Sequence, residues 1–559
     1  MSTDMYQLAA SWQIILPISC TLELDADEET SIISTTLLAI LVLLRTIFAE
    51  PLVLARHDML PKNLSAWLRN ECVRRFISSQ ASAQRNDRFS VVIDGSVSKR
   101  AVIDHVSTKL QAGNFMGGSS LVSRAPLDAT VILASQDFAS WLEDESFVSA
   151  LLPSLFPRSR QDEATRRDFS ILSAVVDGLC PVAPGGVPGR GFSILNGHLD
   201  SILPGMWPSS LSHKFAPDGS DIRASLDFTL GPLLDSANPI AVTVPLANTV
   251  FQNGRQSTLL AGLWARSEKG SFKLSSLEER HTQLVVPSRS NSALTSSVSI
   301  PLIPITAPRK VLAGLGNIIR QVEADGLPSP ASKELERDIP RLLKAREKAS
   351  AAEITGPLGV WTLVVPESLA TPGLLAEISA TPVLEIEAER AASAKFSRLL
   401  PELVASGCHI HRILSGGGGW GLKQGLLSLD PQTSYSPPGG AEDVESFIRS
   451  FRGDDTADSI VAPGCYVQFL VAPVSVEIPN AESTRQSSAA MFGVHEGAGL
   501  LEPSQQGDGS VKFLPGVFGA VSSHGIFLSS SPGSTQYQVA SPEIKTKIDV
   551  PNSAVWEST

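Results

Sequence analysis

Short β-rich runs alternate with longer amphipathic runs in the first part of the chain, and this order constrains the fold more than any other feature. FSVVIDG (89–95), ATVILAS (129–135) and FSILSAVVDG (169–178) have the length and composition of strands. SKRAVIDHVSTKLQAG (98–113) and residues 138–156 have the length and spacing of helices. Strands that alternate with helices need crossover connections, so we predict a sheet that is at least partly parallel.

The chain is too long for one ordinary hydrophobic core, because its 559 residues exceed the roughly 250 to 300 at which single cores stop growing. We predict an α/β fold with two mixed or partly parallel units and β-rich, loop-rich extensions. The first unit is residues 84–306, in which the part after 201 is rich in Pro and Ser. The second unit is residues 356–559, which contains a Gly-rich loop and ends in a β-rich part.

A helical linker over residues 307–355 is predicted to join the two units. Apolar residues recur there at helical spacing, namely Val311, Leu312, Leu315, Ile318, Ile319 and Val322. The charged stretch 325–350 then has the composition of a solvated helix.

Net charge and cysteine usage narrow the function classes. The formal net charge is −12, so the chain as a whole does not attract a phosphate backbone, and nucleic-acid binding would need a local basic patch. The five cysteines, Cys20, Cys72, Cys180, Cys408 and Cys465, are widely scattered and form no C-x-x-C pair. This usage is typical of a reducing compartment, without a disulfide framework or a cysteine zinc site.

Residues 59–83 have the character of a mitochondrial presequence. If the segment is helical, Leu64, Trp67 and Phe76 lie near one stripe, and the segment is rich in Arg and Ser but poor in acidic residues. The run Arg75 to Ser79 resembles the sites at which matrix peptidases cut. An ordinary surface helix is the alternative interpretation. We expect import into the mitochondrial matrix, with the import machinery as a partner.

Residues 1–58 precede this presequence, although a presequence acts at the amino terminus. Either translation starts at Met59 and residues 1–58 are an extension of the gene prediction, or residues 32–49 form a short apolar anchor. The mainly apolar run before Arg45, residues 32–44, has 13 residues, fewer than the roughly 20 that a membrane helix needs, which favours the first explanation. We expect no stable membrane span in the body of the protein.

The most distinctive motif is a Gly-rich loop that follows the predicted strand CHIHRIL (408–414). It comprises Ser415, Gly416, Gly417, Gly418, Gly419, Trp420 and Gly421, with Lys423 just after. Successive backbone N–H groups in such a loop can cradle an anion, and Lys423 would add a positive charge. Leu422 stands where a Walker A motif has lysine, so the loop is not a P-loop. A small anionic ligand and a plain flexible loop are both compatible with this pattern.

A second glycine cluster, PVAPGGVPGRG (181–191), also follows a predicted strand. Arg190 is its candidate anion-binding residue, but a plain connecting loop is the favoured interpretation, because it also explains the prolines. His409 and His411 share a face of the strand 408–414, which would be half of a metal site. No third ligand is visible nearby in the sequence, so we expect no metal site.

The sequence contains none of the common catalytic motifs. There is no G-x-S-x-G, H-E-x-x-H, C-x-x-C or kinase-like set, and no G-x-G-x-x-G follows a strand. These absences favour a non-catalytic role, and they leave any cofactor unidentified.

The order of elements over residues 89–200 resembles the amino-terminal part of FIST domains. The likeness rests on ATVILASQDF and on FSILSAVVDGLCPVAPGGVPGRGFSILNG, where a strand reaches a Gly/Pro-rich turn before the next strand. FIST domains are sensory modules for small ligands, so the resemblance implies a binding role and carries over no catalytic residue.

Three functional hypotheses follow from the sequence. The first is a non-catalytic protein of the mitochondrial matrix that senses a small ligand or acts as a scaffold. The second is an accessory factor in mitochondrial gene expression that binds RNA or the ribosome. The third is an enzyme that acts on a phosphate-bearing small molecule at the loop 415–423.

Overall fold

The computed structural model describes the chain from residue 87 to residue 558 with gaps. The described ranges are 87–112, 127–157, 168–181, 186–207, 223–233, 238–288, 294–349, 358–379, 386–416, 425–435, 460–474, 488–496, 509–530 and 544–558. The predicted presequence 59–83 and residues 1–58 lie outside them.

Strands outnumber helices among the described residues. The strands of the first part are β1 (Asp87–Ile93), β2 (Ala129–Ser135), β3 (Asp168–Val176), β4 (Gly178–Leu179), β5 (Gly191–Gly197), β6 (Ser225–Pro232), β7 (Pro239–Pro245), β8 (Leu259–Arg266), β9 (Phe272–Glu279), β10 (Thr282–Val285), β11 (Thr295–Ser299) and β12 (Ile303–Pro304). Those that follow are β13 (Arg309–Leu315), β14 (Ile318–Ala324), β15 (Leu327–Pro330), β16 (Val360–Val365), β17 (His409–Gly416), β18 (Leu427–Leu429), β19 (Tyr466–Val471), β20 (Ser488–Val494), β21 (Val511–Pro515), β22 (Gly519–Ser522), β23 (Ile526–Ser530), β24 (Lys545–Ile548) and β25 (Ala554–Ser558). The helices are α1 (Lys99–Ala112), α2 (Ala139–Leu142), α3 (Glu145–Leu155), α4 (Leu199–Ile202), α5 (Val250–Asn253), α6 (Lys333–Ala349), α7 (Pro372–Ile378) and α8 (Ile386–Ala405).

The strands form four sheets. Sheet A has the order β21-β1-β5-β2-β3-β8-β9, sheet B the order β11-β25-β20-β22-β4, and sheet C the order β10-β6-β7-β23-β24. In the fourth sheet, β19, β13, β14, β18, β17 and β16 pair in turn, and β16 pairs back to β19, which closes the sheet on itself. The predicted α/β fold with a partly parallel sheet and β-rich extensions is therefore confirmed.

Sheet A is buried on both faces, which explains the continuous apolar character of its central strands. Along β2, Val131 and Leu133 pack with residues of sheets B and C, whereas Ile132 and Ala134 pack on the other side with helices α1 to α3. Because successive side chains of a strand point to opposite faces, a strand that is covered on both sides must be apolar throughout.

Pairs of strands join distant parts of the chain. In sheet A, β21 lies antiparallel to β1; in sheet B, β22 pairs with β4; in sheet C, β23 pairs with β7. Strands that follow residue 510 thus complete all three sheets that contain strands from before residue 250. The two units predicted from the sequence share these sheets.

The predicted helix over residues 311–322 is wrong, because this segment is the hairpin of β13 and β14. Gly316 and Asn317 form the two-residue turn between the strands, and Gly316 has a φ of 58°. The apolar spacing fits a helix, but it also fits the hairpin, in which Val311, Ile319 and Val322 are buried. The Gly-Asn turn signal between two β-rich runs is the feature that distinguishes them. Among the described residues of the predicted linker, only 333–349 are helical.

Candidate functional site

The carboxyl ends of two parallel strand pairs meet at one place. In sheet A, β2 and β3 are parallel, and in sheet B, β20 and β22 are parallel. The residues that immediately follow these four strands are Gln136, Asp177, His495 and Ser523. We call these four residues the strand-end cluster.

Asp177 holds the strand-end cluster together. Its carboxylate accepts hydrogen bonds from the Gln136 side-chain amide at 3.2 Å, and from the backbone N–H and the hydroxyl of Ser523 at 2.7 and 2.8 Å. The His495 backbone N–H donates to the carbonyl of Ser522 at 3.1 Å. These bonds tie the carboxyl edge of sheet A to that of sheet B.

The Asp177 carboxyl is buried yet ionised. Burial alone would raise its pKa, but the nearby His524 imidazole and the hydrogen bonds from Ser523 outweigh this effect, and the net pKa lies below the ordinary value. A carboxylate that accepts several hydrogen bonds is stabilised in its charged form. The site therefore contains one permanent negative charge at neutral pH.

A pocket adjoins the strand-end cluster on the side of sheet B. Its empty volume is about 270 Å³, part of which is open to solvent. It is lined by Cys180, Pro181, Gly186, Pro188, Met491, Gly493, Val494, His495, Val521, Asn552, Ser553 and Ala554. The enclosed part is about 10 Å³, which is room for roughly one water molecule, so most of the pocket is a shallow depression.

The wall formed by Pro181, Gly186 and Pro188 comes from the Gly/Pro-rich loop. Leu179 and Gly189 exchange two backbone hydrogen bonds, of 2.8 and 3.0 Å, which close the loop at its base. A Cβ on Gly178 would lie 3.2 Å from Pro188 and equally close to Val521, so the glycine allows the loop to approach sheet B. The loop is therefore fixed at its base beside the pocket.

Ser553 supplies an unsatisfied polar group to the pocket. Its side chain is only 2% exposed, and its hydroxyl has no hydrogen-bond partner among the described residues. Buried polar groups without a partner are rare, and they are costly unless a ligand or water satisfies them. Because this oxygen is itself buried, a molecule in the pocket reaches it only if the surrounding side chains move.

Two further polar groups in the pocket are neutral at pH 7. Burial lowers the pKa of the His495 imidazole, although Glu496 and Asp177 partly oppose this effect. Burial raises the pKa of the Cys180 thiol far above its usual range. Since the thiolate is the reactive form of cysteine, Cys180 is not an activated nucleophile.

Ser523, His524 and Asp177 have the residue types of a catalytic triad but not its geometry. In a triad the imidazole lies between the carboxylate and the hydroxyl. Here the Ser523 hydroxyl donates directly to Asp177, and His524 Nε2 lies 2.6 Å from the guanidinium of Arg223. The arrangement stabilises the turn after β22 and does not activate the hydroxyl.

Arg190, which the sequence singled out, lies beside this site. Its guanidinium forms an ion pair at 2.6 Å with Asp137, the residue that follows Gln136 in the chain. Its backbone carbonyl accepts from the Ile93 N–H at 2.8 Å. Because Arg190 already has a carboxylate partner, an anionic ligand would have to compete with Asp137 for it.

Ser415 and Gly416 lie in a different sheet, at the end of β17. They pair with Ser428 and Leu427 of β18, and a Cβ on Gly416 would overlap the Leu427 side chain. Since β16, β17 and β18 are antiparallel, this edge is not a carboxyl edge of parallel strands. Gly417 to Gly421 and Lys423 lie outside the described residues, so an anion site at this loop stays a prediction.

His409 and His411 do share one face of β17, with ring centroids 6.1 Å apart. His411 is buried, and its Nδ1 lies 2.8 Å from the carbonyl oxygen of Asp430. Within the described part of the chain, no three His, Cys, Asp or Glu residues are arranged to hold a metal ion. The hydrogen bond to Asp430 gives His411 a structural role.

Acid is expected to destabilise the protein through His411. Burial is the main cause that lowers its pKa from 6.5 to about 4, so the folded state binds this proton less readily than the unfolded chain. The folding free energy that the neutral His411 imidazole contributes is complete above pH 6.5 and is lost as the pH falls towards 4. The loss is roughly 3 kcal/mol, at about 1.4 kcal/mol per pKa unit.

Urea midpoints measured between pH 7.5 and 4 would show this effect. His411→Gln removes the titration and keeps a donor for the Asp430 carbonyl, so it should flatten the pH dependence. His281→Gln changes an exposed histidine, so it should not flatten the pH dependence. Equal slopes for wild type and His411→Gln would contradict the assignment.

None of the described helices has both the length and the apolar character needed to cross a bilayer.

Comparisons with protein families, with curated proteins and with solved structures found no match to this chain.

Proposed function

We propose that this chain is a non-catalytic small-ligand-binding protein, and that its ligand occupies the pocket beside Asp177. The observation that carries the proposal is that two carboxyl edges of parallel strands meet beside one pocket, which His495 of these edges lines. In open α/β sheets, ligands bind outside the carboxyl ends of the strands, where loops of variable sequence can be positioned on a rigid scaffold.

The apolar walls of the pocket, with the polar residues His495 and Asn552 among them, support the same proposal. Small-molecule sites combine apolar surface with a few placed polar groups. The segments that resemble FIST domains supply β2, β3, the Gly/Pro-rich loop and β5. These elements form one wall of the site, which is consistent with the binding role that the resemblance implies.

The proposal is tested by ligand screening on the full chain. Native mass spectrometry of protein purified from its own cells would detect a retained molecule, and thermal unfolding against a metabolite collection would detect others. A ligand at a hundred times its Kd stabilises by about 2.7 kcal/mol. The increase in melting temperature should disappear in His495→Ala, which alters the pocket, and persist in His281→Ala, which does not.

Two results would contradict the proposal. One is the absence of any retained molecule together with no stabilisation by the collection. The other is a stabilisation of the same size in His495→Ala and wild type, which would place the ligand elsewhere.

We also infer that the protein works in the mitochondrial matrix, on the basis of the presequence character of residues 59–83. Sequencing the amino terminus of the native protein tests this. We expect a mature end just after Arg75 or Phe76 in the mitochondrial fraction. An intact Met1 in a membrane fraction would contradict it.

A further inference from the structure

The exposed face of α6 (Lys333–Ala349) carries a stripe of positive charge. Its opposite face packs into the core of the closed sheet through Leu335 and Leu342, with Ile339 beside them. Five basic residues are exposed to solvent, and at about 100° of rotation per residue they fall within an arc of about 80°. These residues, which we call the basic stripe, are Lys333, Arg337, Arg341, Lys344 and Lys348.

A buried carboxylate holds the two arginines of the stripe. Asp338 is 2% exposed, and it accepts hydrogen bonds from Arg337 Nε at 2.8 Å and from Arg337 Nη2 at 2.7 Å. Arg341 Nη1 lies 3.5 Å from the same carboxylate. Since a guanidinium has five N–H donors, both arginines keep donors for another partner. The three lysines of the stripe form no ion pair with any residue that the structure describes.

Acidic residues border the stripe on both sides but do not enter it. Glu336 and Glu347 are exposed, and they lie about 40 to 60° outside one border. Glu334 lies beyond the other border, where it is buried and pairs with Arg309 at 2.6 Å. The centre of the solvent-facing surface of α6 is therefore positive.

The stability of α6 does not account for the stripe. Solvated helices are stabilised when opposite charges stand four residues apart. Here the residues at that spacing carry the same charge, namely Lys333 with Arg337, Arg337 with Arg341, and Lys344 with Lys348. Like charges at this spacing destabilise a helix, and a partner with regularly placed negative charges would relieve the repulsion.

The dimensions of the stripe fit a single nucleic-acid strand. Successive members are about 4.5 to 6 Å apart along the axis, and the whole stripe is about 22 Å long. A strand of a duplex winds once around its axis in about 34 to 36 Å, so it turns away from a straight stripe within this length. An unpaired strand can follow the stripe. The exposed face of α6 has no aromatic residue, Asn or Gln, so it offers no stacking or base-edge readout.

An anionic membrane fits this surface less well. Helices that lie on a membrane bury an apolar face in the lipid, and the apolar face of α6 is already in the core. Of the described positions of α6, only Pro340 is both apolar and exposed. The net charge of −12 does not prevent contact with a polyanion, because charges are screened beyond about 8 Å at physiological salt.

We propose that the basic stripe binds the phosphate backbone of single-stranded RNA without reading its sequence. The lysine ammonium groups and the remaining donors of Arg337 and Arg341 bond to successive phosphates, while Asp338 fixes the two arginines. This surface is separate from the ligand pocket, since no residue that lines the pocket belongs to α6.

The test is the salt dependence of RNA binding by the full chain. Fluorescence anisotropy with a labelled oligouridylate of about twelve nucleotides gives the affinity at each salt concentration. The slope of log K against log salt is about −0.7 per phosphate contact for single strands, so about three to five contacts give about −2 to −3.5. The affinity should fall roughly 20- to 130-fold between about 50 and 200 mM salt. An RNA duplex of the same length should bind at least about threefold more weakly.

A triple variant removes the three lysines of the stripe. Lys333→Gln, Lys344→Gln and Lys348→Gln together leave the arginines and Asp338 in place. Glutamine has a helix propensity close to that of lysine, and the change relieves like-charge repulsion, so the variant should fold. We expect at least about tenfold weaker RNA binding at low salt and a slope less negative by about 2.

The matched control removes the same number of exposed lysines elsewhere. Lys269→Gln, Lys273→Gln and Lys512→Gln together change residues at the two edges of sheet A. This variant should keep the affinity and the salt slope of wild type, because its charges lie outside the stripe. Urea midpoints of both variants check that each is folded.

Several results would overturn the proposal. One is an equal salt slope for the stripe variant and the control, and another is tighter binding of the duplex than of the single strand. Tighter binding of vesicles with about a third phosphatidylserine would assign the stripe to a membrane. Equal binding of polyglutamate would assign it to an acidic protein segment. His495→Ala alters the pocket and should leave RNA binding unchanged, so the stripe and the pocket stand or fall separately.

Discussion

Replacement of Gly519 by alanine is expected to cost at least about 3 kcal/mol of folding free energy, because the residue combines a backbone conformation and a contact that exclude a side chain. Its φ is 150°, a value that residues with a Cβ rarely adopt. An added Cβ would overlap the carbonyl oxygen of Met491 on the paired strand and lie 2.7 Å from the carbonyl carbon. Both are backbone atoms, which cannot move without breaking the sheet.

Gly519 also stands where sheets A and B meet, which makes the expected loss larger than that of an ordinary loop glycine. Its N–H donates to the Ser193 hydroxyl of β5 at 3.1 Å, and its carbonyl accepts from the Cys180 N–H at 3.4 Å. A shift of this residue would therefore disturb the pocket and the junction between the sheets together.

Gly373→Ala is the matched control for this substitution. Gly373 lies in α7, and a Cβ added there would meet no heavy atom within 4 Å beyond its chain neighbours and its own helix backbone. Alanine is favoured over glycine in a helix by about 0.5 to 1 kcal/mol, so this variant should be as stable as wild type or slightly more stable. Urea midpoints of the two variants give the comparison. A Gly519→Ala protein within about 0.5 kcal/mol of wild type would contradict the assigned geometry.

Removal of the Arg346 charge is expected to destabilise the protein by roughly 3 to 5 kcal/mol, because it leaves a buried carboxylate without its partner. Arg346 on α6 and Glu389 on α8 form two hydrogen bonds, of 3.0 and 3.3 Å, and each side chain is 5% exposed. Arg346 also donates to the Ala472 carbonyl at 2.8 Å, and Glu389 accepts from the Val474 N–H at 2.6 Å. The pair therefore connects two helices to the chain that follows β19.

A double-mutant cycle distinguishes the unpaired charge from lost packing. Arg346→Met alone should be severe, whereas Arg346→Met with Glu389→Gln should recover part of the loss, since glutamine is uncharged and still accepts from Val474. A coupling energy of about 1 to 3 kcal/mol is expected. The exposed pair Arg100 and Asp104 on α1 is the control, and Arg100→Met should cost about 0.5 kcal/mol or less. Additive effects of the two buried substitutions would contradict this account.

The segment from Val311 to Val322 shows the limit of predicting secondary structure from local apolar spacing. Its apolar spacing fits a helix and a hairpin equally, and periodicity alone cannot separate the two for short apolar runs. The hairpin forms because Val311, Ile319 and Val322 pack in a core with β19, which is distant in the chain, and with the nearby helix α6. The local signal that separates the two structures is the Gly316-Asn317 pair, which favours a turn.

The candidate site was only partly visible in the sequence. Gln136 directly follows the predicted strand 129–135, and Asp177 is the second-last residue of the predicted strand 169–178, so both positions point to a carboxyl edge. Arg190 was selected as an anion partner and instead pairs with Asp137. His495, Ser523 and Ser553 carry no motif, and Ser523 meets Asp177, 346 positions earlier in the chain, only because β22 pairs with β4.

The sequence by itself determined the fold class, since alternation of β-rich and helical runs with continuous apolar strands requires a sheet covered on both faces. It also located the Gly/Pro-rich loop, because proline and glycine restrict the backbone locally. Only the tertiary structure decided which strands share a sheet, that the closed sheet replaces a helical linker, and that Asp177 meets Ser523. These outcomes depend on non-local pairing, and residues far apart in the chain leave no periodic trace of the contact they will form.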